Sequence, residues 1–217
     1  MPGPFFQYGG FLYDIPLQHN KFTCKIAPVQ NNVKKIRFQL FCCFLLLACL
    51  SGQPAGAEET WLLVDTNNLE LLVMQGSRVA HTFEGISIGR YGASRDKVLC
   101  DNQTPLGTFR IGWISDESRF HRFMGLTYPG TEAAQRGFEQ GLIDAEQWRL
   151  IRYALNTGKV PSQSTRLGGM IGIHGLGRGD PEMHGELNWT NGCVAITNEE
   201  IDLLSKWVHI GTRVEIR

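Results

Sequence analysis

The 217-residue sequence lacks the features that mark several classes of protein. Its 21 basic and 21 acidic residues balance, so no excess of positive charge suggests a nucleic-acid partner. It has no paired Cys-x-x-Cys motif, no glycine-rich phosphate loop, no internal repeat and no low-complexity linker. These absences argue against a zinc ribbon, a P-loop and a repeat solenoid. A composition of 42% hydrophobic and 19% charged residues predicts a globular chain instead.

The first quarter of the chain has the order of segments that is typical of a secretory signal. A basic stretch, residues 34–37, precedes an apolar run, residues 38–50, and the small residues Ala55–Ala57 follow. The apolar run is too short for a comfortable membrane span. We therefore assign residues 1–57 to an N-terminal extension plus signal peptide, and residues 58–217 to the mature domain.

A signal peptide should begin a chain, yet this one is preceded by 32 residues. We hypothesise that Val33, encoded by an alternative start codon, is the true first residue; a mobile extension is the other interpretation. A lipoprotein processing site ending at Cys49 is an alternative for the same segment and would tether the protein through acyl chains. Leu47 fits that site poorly, so we expect soluble export to the periplasm.

Export would leave a mildly acidic domain with two cysteines. Residues 1–57 hold five of the 21 bases and one of the 21 acids, so 16 bases and 20 acids remain, a net charge of −4. Cys100 and Cys193 would then lie in an oxidising compartment and could form one structural disulfide. We predict instead that both thiols are free, Cys100 being buried and Cys193 the more reactive, because nothing in the sequence forces them together.

Short apolar runs bounded by Asn and Gly predict antiparallel strands in the first half of the mature domain. The segment Tyr128–Gly158 has the only long helical spacing, with a capping box formed by Asp144 and Gln147. A later helix is capped by Thr197 with Glu200, and a last strand follows. The pattern predicts a β-rich α+β fold, with a mixed or antiparallel, β-sandwich-like sheet, a helical insertion and a C-terminal helix and strand.

Two short motifs carry the candidate chemistry. "GIHG" places His174 at the end of a buried strand, and "TNGC" places Cys193 after a glycine. A thiol attacks as the thiolate, so it needs a nearby base, which His174 can supply. Gly192 permits a tight turn that would direct the N–H groups of Asn191, Gly192 and Cys193 towards one oxyanion site.

These motifs, with "TPLGTFRI" upstream, resemble the L,D-transpeptidase (YkuD) catalytic domain family of bacterial cell-wall enzymes. The similarity extends over residues 60–217. The resemblance implies that Cys193 is the nucleophile and His174 the base. It also implies that the backbone carbonyl of Gly175 orients the imidazole, as an Asp does in a serine triad.

The sequence departs from the family pattern at two positions. Ala195 stands where relatives often have Arg or Asn, so a polar contact to the substrate must come from elsewhere, and Arg178 is our candidate. Asn191 stands where relatives often have His, which matters less because the backbone supplies the oxyanion contact. Thr190 and Trp189 are further candidates for substrate binding, although Trp189 could equally pack beside the cleft.

Other polar residues have simpler explanations. Arg119 and Arg122 could contact a substrate carboxylate, although a solvated strand edge is the commoner explanation. His184 and Asp180 could join the His–Cys pair around a metal ion, but their spacing matches no ordinary zinc signature. We therefore expect neither a metal nor a cofactor.

The resemblance implies that peptidoglycan stem tetrapeptides are the acyl donors. It also implies a role in cell-wall organisation and cell shape. Cys193 would attack the bond between the L-centre of meso-diaminopimelate and the terminal D-alanine. The acceptor stays open: a second diaminopimelate gives a 3→3 cross-link, and an outer-membrane lipoprotein lysine gives an anchor. With water, the enzyme is a carboxypeptidase or cross-link hydrolase. A non-catalytic wall-binding module is the alternative from another class, and a monomer is expected.

Overall fold

The computed structural model describes residues 58–217. The predicted signal and the hypotheses about Val33 and Cys49 lie outside these residues. The strands are β1 (Thr60–Asp65), β2 (Glu70–Gln75), β3 (Arg78–Glu84), β4 (Ala93–Ser94), β5 (Thr104–Pro105), β6 (Gly107–Ser118), β7 (His121–Leu126), β8 (Gly172–His174), β9 (Val194–Ala195) and β10 (Arg213–Ile216). The helices are α1 (Thr131–Glu139), α2 (Ala145–Asn156), α3 (Pro181–Glu186) and α4 (Asn198–Leu204). The predicted β-rich α+β fold is confirmed.

Eight of these strands form one mixed sheet in the order β3-β2-β1-β10-β6-β7-β8-β9. Strands β1 to β3 form the antiparallel meander that the sequence predicts. The last strand, β10, lies between β1 and β6, parallel to the first and antiparallel to the second. Strands β8 and β9 are parallel and lie at the other end of the order. The C-terminal strand thus joins the meander to the strands of the candidate site.

One hydrophobic core supports both halves of this sheet. Leu62 and Val64 of β1 are fully buried, and so are Ile173 of β8 and Val194 of β9. These residues belong to one contiguous cluster of buried side chains. Burial of each such side chain contributes about 1.5–3 kcal/mol. The strands that carry the candidate site are therefore anchored in the main core.

The predicted helical insertion consists of α1 and α2 and has a small core of its own, formed by Ala134, Ile143, Ile151 and Leu167. The capping box is present: the Asp144 carboxylate accepts a hydrogen bond from Gln147 N at 2.8 Å, and the Gln147 side chain accepts from Asp144 N at 3.2 Å.

Within residues 58–217, no helix combines the length and the apolar character that crossing a membrane requires.

The prediction that Cys100 is buried is wrong, because Cys100 is exposed. It lies in a turn whose centre is Asp101. The Asp101 carboxylate accepts hydrogen bonds from Val98 N at 2.7 Å and from Gln103 N at 3.0 Å. Cys100 itself has a positive φ of 68°. The side chain of Asp101 therefore folds the chain back on itself, and the turn presents the thiol of Cys100 to solvent.

Candidate active site

The pairing of β8 with β9 brings the segments of His174 and Cys193 together. Ile173 pairs with Val194, and His174 pairs with Ala195. Cys193 directly precedes β9, so this pairing places it close to β8, which ends at His174. Both side chains line one cavity of about 900 Å³. The structure thus brings together the two residues predicted to react.

The imidazole of His174 is held by the neighbouring backbone. Its Nδ1 lies 2.7 Å from the carbonyl oxygen of Gly175. A carbonyl oxygen can only accept, so Nδ1 carries the proton and Nε2 has a free lone pair. A Cβ on Gly175 would lie 2.7 Å from the Asn198 Oδ1 and 2.9 Å from the Phe120 carbonyl oxygen. Only glycine fits at this position without a shift of its neighbours.

Aromatic rings surround the same imidazole. The ring of Phe120 stacks on His174 with 4.1 Å between centroids, and that of Trp189 meets it edge-on at 5.8 Å. His174 is only 1% exposed. Burial lowers the pKa of His174 to about 4, because the charged imidazolium loses hydration; the bond to Gly175 opposes this shift. At neutral pH His174 is therefore an uncharged base.

Cys193 is half-buried, and its Sγ lies 3.4 Å from the carbonyl oxygen of Met170. Burial raises the pKa of the Cys193 thiol to about 11; a backbone hydrogen bond from Gly172 and the charges of Lys97 and Arg119 act against this rise. The free protein thus holds a neutral thiol and a neutral imidazole in the same cavity. The prediction that Cys193 is the more reactive thiol does not follow from this environment, because a neutral thiol is a poor nucleophile.

The loop before Cys193 contains a glycine whose backbone conformation and close surroundings disfavour any other residue. Gly192 has a φ of +123°, and a Cβ there would lie 2.6 Å from the Gln103 carbonyl oxygen. The Thr190 hydroxyl donates to the Cys193 carbonyl oxygen at 2.7 Å and accepts from Gly192 N at 3.1 Å. The hydroxyl predicted to bind substrate is thus engaged within the loop.

Of the three N–H groups predicted for the oxyanion site, the one on Gly192 is already used by Thr190. The N–H groups of Asn191 and Cys193 donate to no acceptor among residues 58–217. An unpaired backbone donor beside a nucleophile is available to a developing oxyanion. Asn191 and Cys193 therefore remain as the two candidate donors.

Arg90, which the sequence analysis missed, stabilises this loop. Its guanidinium donates to Asn191 Oδ1 at 2.9 Å and to the Trp189 carbonyl oxygen at 3.3 Å. Arg90 lies about one hundred positions earlier in the chain, so no local pattern could have identified it. The Asn191 side chain is thus fixed by an arginine.

The arginines that the sequence suggests as substrate contacts differ in whether they line the cavity. Arg178 is exposed and is absent from the lining of the cavity that contains Cys193, whereas Arg119 lines it. Ala195 is fully buried and does not line this cavity, so position 195 presents no side chain to a substrate. Arg122 forms ion pairs with Asp116 and Asp202, as expected at a solvated strand edge.

The residues considered for a metal ion have other partners. The Asp180 carboxylate accepts from Glu182 N at 2.9 Å and caps α3. The Nδ1 of His184 lies 3.0 Å from the hydroxyl of Ser87. In the part of the chain that the structure describes, no three His, Cys, Asp or Glu side chains cluster as metal ligands.

A comparison with protein families matches residues 59–216 to the L,D-transpeptidase catalytic domain (YkuD). Among solved structures, the helical cell shape determining protein Pgp2 from Campylobacter jejuni is similar at 17% identity and a TM-score of 0.51, over 75% of this chain and 48% of that one. The C442S mutant of Enterococcus faecium L,D-transpeptidase aligns at 13% identity and a TM-score of 0.43, over 74% of this chain and 50% of that one. A comparison with curated proteins finds no significant match. The chain thus spans about half the length of these solved structures, and the likeness to Pgp2 shows a shared fold.

Proposed function

Because the chain belongs to the YkuD family of L,D-transpeptidase catalytic domains, we propose that it is a cysteine-dependent acyltransferase that acts on peptidoglycan stem tetrapeptides. One observation carries the proposal. Cys193 and His174 line a single cavity, and Gly175 fixes the tautomer that leaves Nε2 of His174 free to take a proton.

The acylation step follows from the neutral state of the pair. His174 Nε2 takes the thiol proton while Sγ attacks the carbonyl carbon at the L-centre of diaminopimelate. The N–H groups of Asn191 and Cys193 stabilise the oxyanion of the tetrahedral intermediate. The carbon–nitrogen bond then breaks, and His174 gives its proton to the amine of the departing D-alanine. A thioester between Cys193 and the stem remains.

The second step reverses the proton transfers. An acceptor amine attacks the thioester carbonyl carbon, His174 takes a proton from that amine, and the carbon–sulfur bond breaks. The proton returns to the sulfur of Cys193. Diaminopimelate as the acceptor gives a 3→3 cross-link, and a lipoprotein lysine gives an anchor. Water in place of the amine gives the carboxypeptidase or cross-link hydrolase reaction.

The proposal includes the location of the protein, its oligomeric state and its partners. Export to the periplasm by the segment before residue 58, or anchoring at Cys49, would bring the cavity to the stem peptides. The proposed reaction needs no residue from a second chain, and we propose that the protein acts as a monomer. The lipoprotein is a partner only if its lysine is the acceptor.

Intact-protein and muropeptide mass spectrometry tests the proposal. After incubation with a disaccharide tetrapeptide, we expect D-alanine release, a mass gain on Cys193 and new dimers or hydrolysed stems. Cys193→Ala is the control and should show none of these. Equal D-alanine release by this variant would contradict the nucleophile assignment. Stem binding by the wild type without any acyl-enzyme would support the wall-binding module instead.

A further inference from the structure

Of the cations that line the cavity containing Cys193, Arg119 alone has a charged group that neither forms an ion pair nor donates a hydrogen bond to the described residues. Three basic side chains line the cavity: Arg90, Lys97 and Arg119. The Lys97 Nζ lies 2.7 Å from the Asp101 carboxylate. Arg90 donates to two oxygens of the loop before Cys193. Arg119 forms no ion pair with any acid in the range that the structure describes.

Arg119 stands close to the reacting groups. Its guanidinium carbon lies 4.6 Å from the centroid of the Phe120 ring, and this same ring stacks on the His174 imidazole at 4.1 Å. One aromatic ring therefore contacts both the cation and the base. The charge of Arg119 also acts on both reacting groups, since it lowers the pKa of His174 and of Cys193.

The backbone of Arg119 is held in place by close packing. A Cβ on Gly177 would lie 2.9 Å from the Phe120 Cα and would also overlap the Arg119 carbonyl oxygen. The N–H of Gly177 in turn donates to the Asn198 side chain at 2.9 Å. The chain at 119–120 is thus packed against the segment that follows His174. The exposed guanidinium of Arg119 therefore extends from a backbone segment whose position is fixed by this packing.

The chemistry of the cavity favours an anionic group beside the scissile bond. None of its lining residues is an Asp or a Glu, so an incoming carboxylate meets positive charge without repulsion. An arginine can bind a carboxylate through two parallel hydrogen bonds. In the acyl donor proposed above, the departing D-alanine carries a carboxylate one carbon beyond the nitrogen of the bond that breaks.

We propose that Arg119 binds the terminal carboxylate of the acyl donor and thereby selects stems that end in a free D-amino acid. This inference rests on the proposed function. It assigns to Arg119 the polar contact that position 195 does not provide, since Ala195 is buried. Another free carboxylate of the donor, at the D-centre of diaminopimelate, is the competing target that the experiment must separate.

The test combines one variant with two matched substrates. The initial rate of leaving-group release is measured for a stem tetrapeptide with a free terminal carboxylate and for the same peptide with a terminal carboxamide. Wild-type protein should prefer the acid. In Arg119→Gln, kcat/KM for the acid should fall by about 10- to 100-fold, the range for a lost charge-assisted hydrogen bond, and kcat/KM for the amide should fall far less.

Arg152→Gln is the matched control. The Arg152 guanidinium lies over the Trp148 ring at the same 4.6 Å as that of Arg119 over Phe120, but on the helical insertion. This variant should keep the wild-type preference. Alkylation of Cys193 by iodoacetamide in Arg119→Gln should stay within a few-fold of wild type, which shows that the site is folded.

Two outcomes would overturn the inference. Equal losses for the acid and the amide in Arg119→Gln would mean that the guanidinium does not bind the terminal carboxylate. A loss that disappears only when the D-centre carboxylate of diaminopimelate is amidated would assign Arg119 to that group instead. Failure of the proposed function would look different, because the wild type would then release a leaving group from neither peptide.

Discussion

Two turns line the same cavity and each carries a cysteine, but they are stabilised differently. The turn around Cys100 is stabilised by the carboxylate of Asp101 and leaves its thiol exposed. The loop before Cys193 is stabilised by the Thr190 hydroxyl and leaves its thiol half-buried near an oriented imidazole. The exposure of a thiol therefore does not identify the proposed nucleophile. In the free protein the thiol of Cys193, which shares its cavity with the oriented imidazole of His174, is protonated at neutral pH.

The largest effect that tests this comparison is expected from Cys193→Ser. An alcohol is far harder to deprotonate than a thiol, and the buried His174 is a weak base. We expect the rate of D-alanine release to fall by roughly 10³-fold or more, with the melting temperature unchanged. Cys100→Ser is the control and should keep its activity. Substantial turnover by Cys193→Ser would show that another residue is the nucleophile.

A smaller loss is expected from Gly192→Ala, which tests whether the loop conformation is needed. The φ of +123° disfavours alanine, and the new Cβ would lie 2.6 Å from the Gln103 carbonyl oxygen. We expect destabilisation of about 1–3 kcal/mol, measured by chemical denaturation, and reduced acylation. Gly185→Ala is the control, because a Cβ there meets nothing within 4 Å. Equal stability of the two variants would contradict this account.

The pH dependence of thiol alkylation sharpens the contrast between the two cysteines. Because the pKa of Cys193 is raised to about 11, its thiolate fraction is small at pH 7 and rises with pH. Its alkylation by iodoacetamide should therefore increase about tenfold per pH unit between pH 7 and 10. Peptide mapping separates this rate from that of the exposed Cys100, which should be alkylated first at pH 7. A plateau near pH 7 for Cys193 would instead indicate a preformed thiolate–imidazolium pair.

Acylation should follow a different pH profile from alkylation. The pKa of His174 is lowered to about 4, so the imidazole stays neutral as pH falls from 7 to 5 and becomes protonated only below that range. We expect kcat/KM for the tetrapeptide to persist to about pH 5 and to fall towards pH 4 as the base is lost. An acid limb near pH 6.5, the ordinary pKa of His, would show that the imidazole is better solvated in the working enzyme.

The parts of the fold that sequence could predict are those with local signals. The capping boxes at Asp144 and Thr197 were predictable because both partners lie within four residues, and the meander follows from short apolar runs bounded by Asn and Gly. The position of β10 between β1 and β6 could not be predicted, because strand pairing across more than one hundred residues leaves no local pattern in the sequence.

The same distinction applies to the candidate site. His174 and Cys193 lie in short sequence motifs, and the residue types and spacing of these motifs identified them as candidates. The side chains that complete the cavity, Arg90, Lys97 and Arg119, come from segments far from these motifs. Their contribution depends on partners such as Asn191 and Asp101 and could be seen only in three dimensions. Of the arginines that the sequence offers as substrate contacts, Arg119 lines this cavity and Arg178 does not.

The smallest expected effect concerns a bond between the two cysteines. Nothing in the sequence brings Cys100 and Cys193 together, yet both line one cavity and both are free in the structure. A disulfide between them would block the proposed nucleophile, so active protein should hold two free thiols, and Cys100→Ser should change D-alanine release by less than about twofold. Non-reducing peptide mapping of the active protein measures the linkage directly. A quantitative Cys100–Cys193 bridge in protein that still turns over would contradict the free-thiol prediction and the mechanism together.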